Sequence, residues 1–253
     1  MRLFDTHAHL DFPQFDPDRA LLLAAMRDQG VYAINVGVDL KSSQASLRLS
    51  MENPNVFPAC GIHPHEAKVV DGEVLAELEG LLRRGAVAVG ECGLDFYRNL
   101  SPRDAQMEAF RAQLRLAKKL DLPVILHERA AWPEFISALR EEGPVRGVVH
   151  AFSGDLPKAQ EALGLGLFLG IGGPVTYPKN EGLRQALRRI PQSRVLLETD
   201  CPYLPPQPFR GQRNDPLKVK YVAEALAGLW GMQPAEVAEI TLENARRLFG
   251  VSL

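Results

Sequence analysis

The sequence predicts an α/β fold, a TIM-like (β/α)8 barrel with extra C-terminal helices. Three observations predict it. Short apolar runs alternate with longer amphipathic stretches, the alternation that builds a parallel sheet. Eight such runs fit into 253 residues, and a closed barrel of eight βα units takes ~250. All six His directly follow apolar runs, as they would if the strand ends shared one rim. An open doubly wound sheet would absorb the same elements.

The apolar runs start near Arg2, Val31, Val56, Ala86, Pro123, Arg146, Leu167 and Arg194. Each is short for a helix and several are rich in Val and Ile, so they read as buried parallel strands. Between them, Asp16-Pro17 supplies an N-cap followed by proline at the first helical position. Ser101-Pro102 does the same for a long segment in which Phe110, Leu114 and Ala117 repeat at i, i+4, i+7, with Leu120 beyond them. Asp121-Leu122-Pro123 ends that segment. The tail from Pro234 to Phe249 reads as one or two helices packed outside the barrel. The whole chain, 1–253, reads as one domain.

Hydrophobic residues at 46% and charged residues at 24% exclude disorder, collagen and a disulfide-built scaffold. Lys and Arg number 29 against 31 Asp and Glu, a net charge of −2, so the chain is no basic nucleic-acid clamp. Phosphate binding would have to come from local charge or metal ions. Three Cys suit a reducing compartment. The start, MRLFDTHAHLDF, lacks the apolar core of a signal peptide, and no 18-residue apolar run follows. The expectation is a cytoplasmic protein with no membrane partner.

The chemistry concentrates at the ends of the runs. His7, His9, His63, His65, His127 and His150 close LFDTHAH, FPACGIHPH, PVILH and GVVH, and none falls in a stretch read as helix. Glu91 in AVAVGE and Asp200 in VLLETD share that placement. A lone His at a strand end is ordinarily structural; six with two carboxylates at one predicted rim read as a metal site. His7 and His9, two apart on a strand, point to one side. Val87, Val89 and Glu91 alternate likewise, which would aim Glu91 inward and Cys92 outward. Cys60 and Cys201 read as small buried thiols. His7, His9 and Asp200 would hold one divalent ion and His127 and His150 a second, with Glu91 as the bridge. Two ions ~3.5–4 Å apart acidify a shared water and polarise the bond under attack. Asp200 would take the proton as general base, with Glu91 beside it in the reaction centre. Imidazole and carboxylate ligands suit Zn, Mn or Fe, whereas Mg prefers oxygen.

FDTHAHLD at the start, GIHPH at 61–65, VGECGLDF at 89–96, PVILHER at 123–129, HAFSG at 150–154 and LLETDCPYL at 196–204 run through the chain in order, with RNDP at 213–216 and ENARRLF at 243–249. In these motifs the chain resembles the TatD-type metal-dependent deoxyribonucleases, a branch of the amidohydrolase-like barrels. The resemblance implies a barrel that hydrolyses DNA phosphodiesters with divalent metal, attacking single strands or 3′ ends. By position it makes His7, His9, Glu91, His127, His150 and Asp200 the ligands. Glu128 stands where relatives often carry a small residue.

His63 and His65 are left over from both ligand sets. They would bind a substrate phosphate or protonate a leaving oxygen, with His63 the first choice. Asp95 would orient a ligand His or cap a turn. Arg129, two residues after His127, would pair with phosphate. The loop CPYLPPQPFRGQRNDP offers Tyr203 and Phe209 for base stacking, and Arg210 and Arg213, with Lys218 and Lys220 following, for phosphate. Gly170–Gly173 closes the seventh run without the lysine of a Walker motif. No GxSxG nucleophile elbow is present. The alternative reading is an amidohydrolase or deacylase using the same two-metal site on a carbonyl.

Overall fold

The computed structural model describes residues 1–252. Eight strands follow one another around a barrel: β1 (Leu3–Ala8), β2 (Val31–Val36), β3 (Val56–Cys60), β4 (Ala88–Asp95), β5 (Val124–Arg129), β6 (Gly147–Val149), β7 (Phe168–Ile171) and β8 (Val195–Leu197). Each pairs in parallel with the next. Every strand begins within two residues of its expected start. The helices are α1 (Arg19–Asp28), α2 (Leu40–Glu52), α3 (Gly72–Leu82), α4 (Arg103–Leu120), α5 (Trp132–Glu142), α6 (Leu156–Gly164), α7 (Glu181–Leu187), α8 (Val219–Trp230) and α9 (Pro234–Phe249). Among the described residues no helix is long and apolar enough to cross a membrane.

No regular ladder joins β8 to β1. The chain just beyond both strands closes the ring instead. Asp200 N donates to His7 O at 2.8 Å, and His9 N donates to Cys201 O at 2.9 Å. Side chains add to the seam: Thr6 Oγ1 donates to Leu197 O, and buried Asp5 accepts from the Thr199 amide and hydroxyl at 2.8 and 2.5 Å. Closure and site assembly are therefore one event, because the bonds that shut the barrel hold His7, His9 and Asp200 together.

Two apolar cores result. One lies between the strands and the outer helices. Within it Phe110, Leu114 and Ala117 of α4 are buried as their spacing predicts, and Phe110 stacks on Phe135 of α5. The other fills the barrel with Phe4, Ile34, Ile125, Val148, Phe168 and Leu196, and it continues into Leu242, Ala245, Leu248 and Phe249 of α9. Helix α9 is thus a plug. The inward side chains at the N-terminal mouth need an apolar cover, and its one-sided face supplies it.

Three local expectations change. Ser101 does not cap α4, which starts at Arg103 behind Pro102; its hydroxyl donates to His65 O and accepts the Lys68 amide instead. Asp16-Pro17 does not open α1, which starts at Arg19 behind Asp18. The Arg19 guanidinium instead gathers the carbonyls of Leu10, Asp11 and Phe12 and the Asp16 carboxylate, holding the preceding segment in a turn. Nor do Val87, Val89 and Glu91 share a face. Val89 packs in the outer core with Cys92 and Leu94, while Ala88 faces the interior. The β4–β5 register shifts between Val89 and Cys92, so three steps on β4 oppose two on β5. This bulge re-aims the strand, and Glu91 reaches the interior through it rather than through simple alternation.

Candidate metal centre

The C-terminal rim gathers the expected donors. From β1 come His7 and His9, from β4 Glu91, from β5 His127, and from just past β6 and β8 His150 and Asp200. His7 Nε2 lies 3.2 Å from His9 Nε2, 3.3 Å from Glu91 Oε2 and 3.8 Å from Asp200 Oδ1. His9 Nε2 is 3.7 Å from that Glu91 oxygen and 3.6 Å from that Asp200 oxygen. Four ligands ~2.0–2.1 Å from a tetrahedral ion stand ~3.4 Å apart, so this spacing has room for one cation.

The other oxygen of Glu91 faces a second group. Oε1 is 2.7 Å from both His127 Nδ1 and His150 Nε2, and 3.6 Å from His63 Nε2. His127 Nδ1 and His150 Nε2 are themselves 3.1 Å apart. One carboxylate therefore has an oxygen in each of two donor groups. His63, which the sequence leaves outside both ligand sets, stands at the edge of the second. Residues able to hold a metal ion combine as His7, His9 and Glu91; as His63, Glu91 and His127; and as His7, His150 and Asp200.

Second partners fix which nitrogen is free. A carbonyl only accepts, so His9 Nδ1, 2.9 Å from Val36 O, carries its proton there and leaves Nε2 bare for a cation. His127 turns Nδ1 to the centre, 2.7 Å from Glu91 Oε1, while its Nε2 faces Asp95 Oδ2 at 3.4 Å. His63 differs. Its Nδ1 accepts the His65 amide at 3.1 Å, so the neutral ring carries its proton on Nε2, toward Glu91. His63 is built to donate.

The electrostatics demand positive charge. Burial works against ionising Glu91, yet the His150, His63 and His7 imidazoles and the His127 bond hold its carboxyl well below the usual range. Burial also opposes charge on Asp200, but the bond from His9 lowers it. Burial would discharge His9 and His127, and the carboxylates of Asp200 and Glu91 for one, of Asp95 and Glu91 for the other, raise each to about 9. His7 goes the other way, to about 4, through burial and the neighbouring His150 charge. Bare nitrogens and carboxylate oxygens this close need something positive between them. Protons on His9 and His127 fill that need, and divalent cations fill it better. Buried His7 Nδ1, His127 Nε2 and His150 Nδ1 have no hydrogen-bond partner. The residues present fit a metal centre. The thiols do not join it: burial pushes Cys60 up to about 12 and raises Cys92 and Cys201 as well.

The remaining candidates separate. His65 lies in the short helical turn Pro64–Val69 rather than on a strand, and its Nε2 donates to Asp95 Oδ2 at 2.8 Å. Glu128 turns away and accepts the Ala131 amide. Arg129 lies under the ring of Tyr97, 4.0 Å from its centroid. Tyr203 is half exposed at the rim, edge-on to Phe12. Arg213 is not free for phosphate: it donates to both Asp18 oxygens at 2.7 and 2.6 Å and lies over Phe15. Much of that loop is likewise spent on its own packing. Lys218 pairs with Asp215, Arg210 covers Tyr177, and Phe209 meets Tyr221. A long Pro-rich loop without a ladder needs such bracing. An Arg213→Ala variant should accordingly lower the urea midpoint slightly and leave KM within about twofold of wild type; a tenfold KM rise would restore the phosphate role.

Sequence reasoning missed the supports. Buried Asn214 donates to Thr199 O and Tyr203 O at 2.9 and 2.7 Å, bracketing Asp200. Buried Glu198 accepts the Ala151 amide at 2.6 Å, just past His150. Its spacing of two from Asp200 was the available signal.

Comparison with known proteins agrees with this architecture. A family model described as TatD related DNase matches residues 4–250. A metal-dependent hydrolase of Bacillus subtilis, YabD, described as uncharacterized, is 41% identical, covering 99% of this chain and 100% of its own. The 3′-5′ ssDNA/RNA exonuclease TatD of Erwinia tasmaniensis is 39% identical, covering 98% and 100%. The crystal structure of YjjV, a TatD homologue from Escherichia coli K12, superposes with a TM-score of 0.93 at 34% identity, covering 99% of each chain. Matched end to end in sequence and in fold, the chain belongs to the TatD-related DNases, a family of metal-dependent hydrolases.

Proposed function

We propose that this protein is a divalent-metal-dependent phosphodiesterase that removes nucleotides from the 3′ end of DNA. The observation that carries the proposal is Glu91, with one oxygen in each of two donor groups. His7, His9 and Asp200 would hold one ion, His127 and His150 the other, and Glu91 both. Two such ions would activate water and neutralise charge gathering on the phosphoryl oxygens. The ionised Asp200 carboxylate would take the proton of the attacking water. The His63 Nε2–H points at the same centre and would donate to a phosphoryl or leaving oxygen. The 3′ polarity and the nucleic-acid substrate are supported by what the Erwinia relative is named for.

The test is digestion of oligonucleotides labelled at either end. Products shortening from the 3′ end, halted by excess chelator and restored by Mg²⁺, Mn²⁺ or Zn²⁺, are expected. Undiminished cleavage in chelator would refute the metal mechanism. Inert oligonucleotides beside rapid hydrolysis of cyclic amides or esters would move the site to carbonyl chemistry.

A further inference from the structure

Among the described residues, Tyr97 and Tyr203 are the two aromatic side chains with half or more of their surface exposed. Both leave the rim that carries the metal donors. Tyr203 follows Asp200 by three positions, and Tyr97 follows β4. The placement of Tyr97 is fixed. The amides of Tyr97 and Arg98 donate to Asp95 Oδ1 at 3.0 and 2.8 Å. The other oxygen of that carboxylate takes the His65 Nε2–H and faces His127. The Phe96 amide donates to Arg129 O, and Arg129 stands two residues past His127. One buried carboxylate and one backbone bond thus lock the tyrosine beside the second donor group.

We propose that Tyr97, backed by the Arg129 guanidinium, is a stacking subsite for an unpaired nucleobase next to the scissile phosphate. The inference rests on the nuclease reading and adds a substrate contact to it. An exposed tyrosine normally loses conformational freedom when it binds. Here the cation 4.0 Å from the ring centroid already orders the ring. The guanidinium covers one face, and the side chain is 67% exposed. A free π-face beside a cation is what single-stranded nucleic acid meets on its binding proteins. A base inside a duplex has no face to offer such a platform.

The test combines Tyr97→Ala and Tyr97→Phe with a scan of abasic nucleotides along a short oligonucleotide. Affinity is read by anisotropy on a labelled phosphorothioate strand, and KM and kcat on a cleavable one. Because the ring is exposed, both variants should melt with the wild type. The expected result is affinity about tenfold weaker for Tyr97→Ala, within what loss of one stacked base costs, with KM raised more than kcat is lowered. Tyr97→Phe should behave as wild type. At one nucleotide flanking the cleaved bond, an abasic site should weaken the wild type by the same factor and the Ala variant no further. Wild-type affinity in Tyr97→Ala, or equal abasic penalties in both proteins at every position, would overturn the subsite and leave the nuclease reading intact. A Phe variant as weak as the Ala variant would overturn stacking in favour of the hydroxyl. A wild type that neither binds nor cleaves any oligonucleotide would instead overturn the nuclease reading.

Discussion

Replacing Glu91 by Gln will lower kcat/KM at least about a thousandfold, on the order of 4 kcal/mol of transition-state stabilisation. The substitution keeps the shape of the side chain. It exchanges one oxygen for an amide nitrogen and removes a negative charge. In the protein one oxygen stands 3.3 Å from His7 Nε2, and the other 2.7 Å from His127 Nδ1 and His150 Nε2. An amide presents a lone-pair acceptor to only one of those groups. Elemental analysis should therefore find at least one ion fewer per chain in Glu91→Gln than in wild type. Glu91→Asp separates charge from reach. Its carboxylate keeps the charge, but a chain shorter by one methylene cannot serve both groups, so it too should lose metal. A Gln variant with full metal content and near-normal turnover would eliminate the bridging role. It would then move the centre to His7, His150 and Asp200, the combination that omits Glu91.

The contrast between what the sequence disclosed and what it hid has a physical basis. Strands buried on both faces must be apolar, and this marks all eight of them. The donors are polar residues that interrupt those runs where the strands end, so His7, His9, His127, His150 and Asp200 were visible as interruptions. Glu91 was visible for the same reason, but the route by which it turns inward was not. The bulge between Val89 and Cys92 is a relation between two strands, and no spacing within one strand encodes it. The pairing of the Arg213 guanidinium is equally hidden, because charge alone advertises a ligand. Its partner Asp18 lies 195 positions away, and only the folded loop brings them together. The plug formed by α9 was hidden likewise. Its amphipathic face is plain in sequence, but the same face would suit a helix on the outer ring. His63 shows a subtler gap: composition places an imidazole at the rim, whereas its role as donor follows from one backbone amide on Nδ1.

Gly93→Ala is expected to be the most destabilising single methyl in the chain. Gly93 has φ +147°, a conformation that disfavours any Cβ, and a Cβ there would stand 2.0 Å from the backbone oxygen of His127. The obstacle is rigid. Gly93 and His127 are register partners in the β4–β5 ladder, so relief requires moving one strand from the other. Backbone strain costs about 1–3 kcal/mol and overpacking typically about 1–3 more. Together they remove a large part of the ~5–15 kcal/mol that holds an ordinary domain folded. Urea denaturation should show a midpoint far below wild type, or no folded protein at all. Gly80→Ala is the matched control. Gly80 lies in α3, exposed, with nothing within 4 Å of the added methyl. There the same chemical change should stabilise by about 0.5–1 kcal/mol, because alanine favours the helix. Because His127 is a proposed metal ligand as well as the obstructing carbonyl, any Gly93→Ala protein that does fold should bind metal weakly. An alanine variant that melts with wild type and keeps its metal would show that β4 and β5 part freely at this point. The tight β4–β5 contact would then not be what sets the distance between Glu91 and His127.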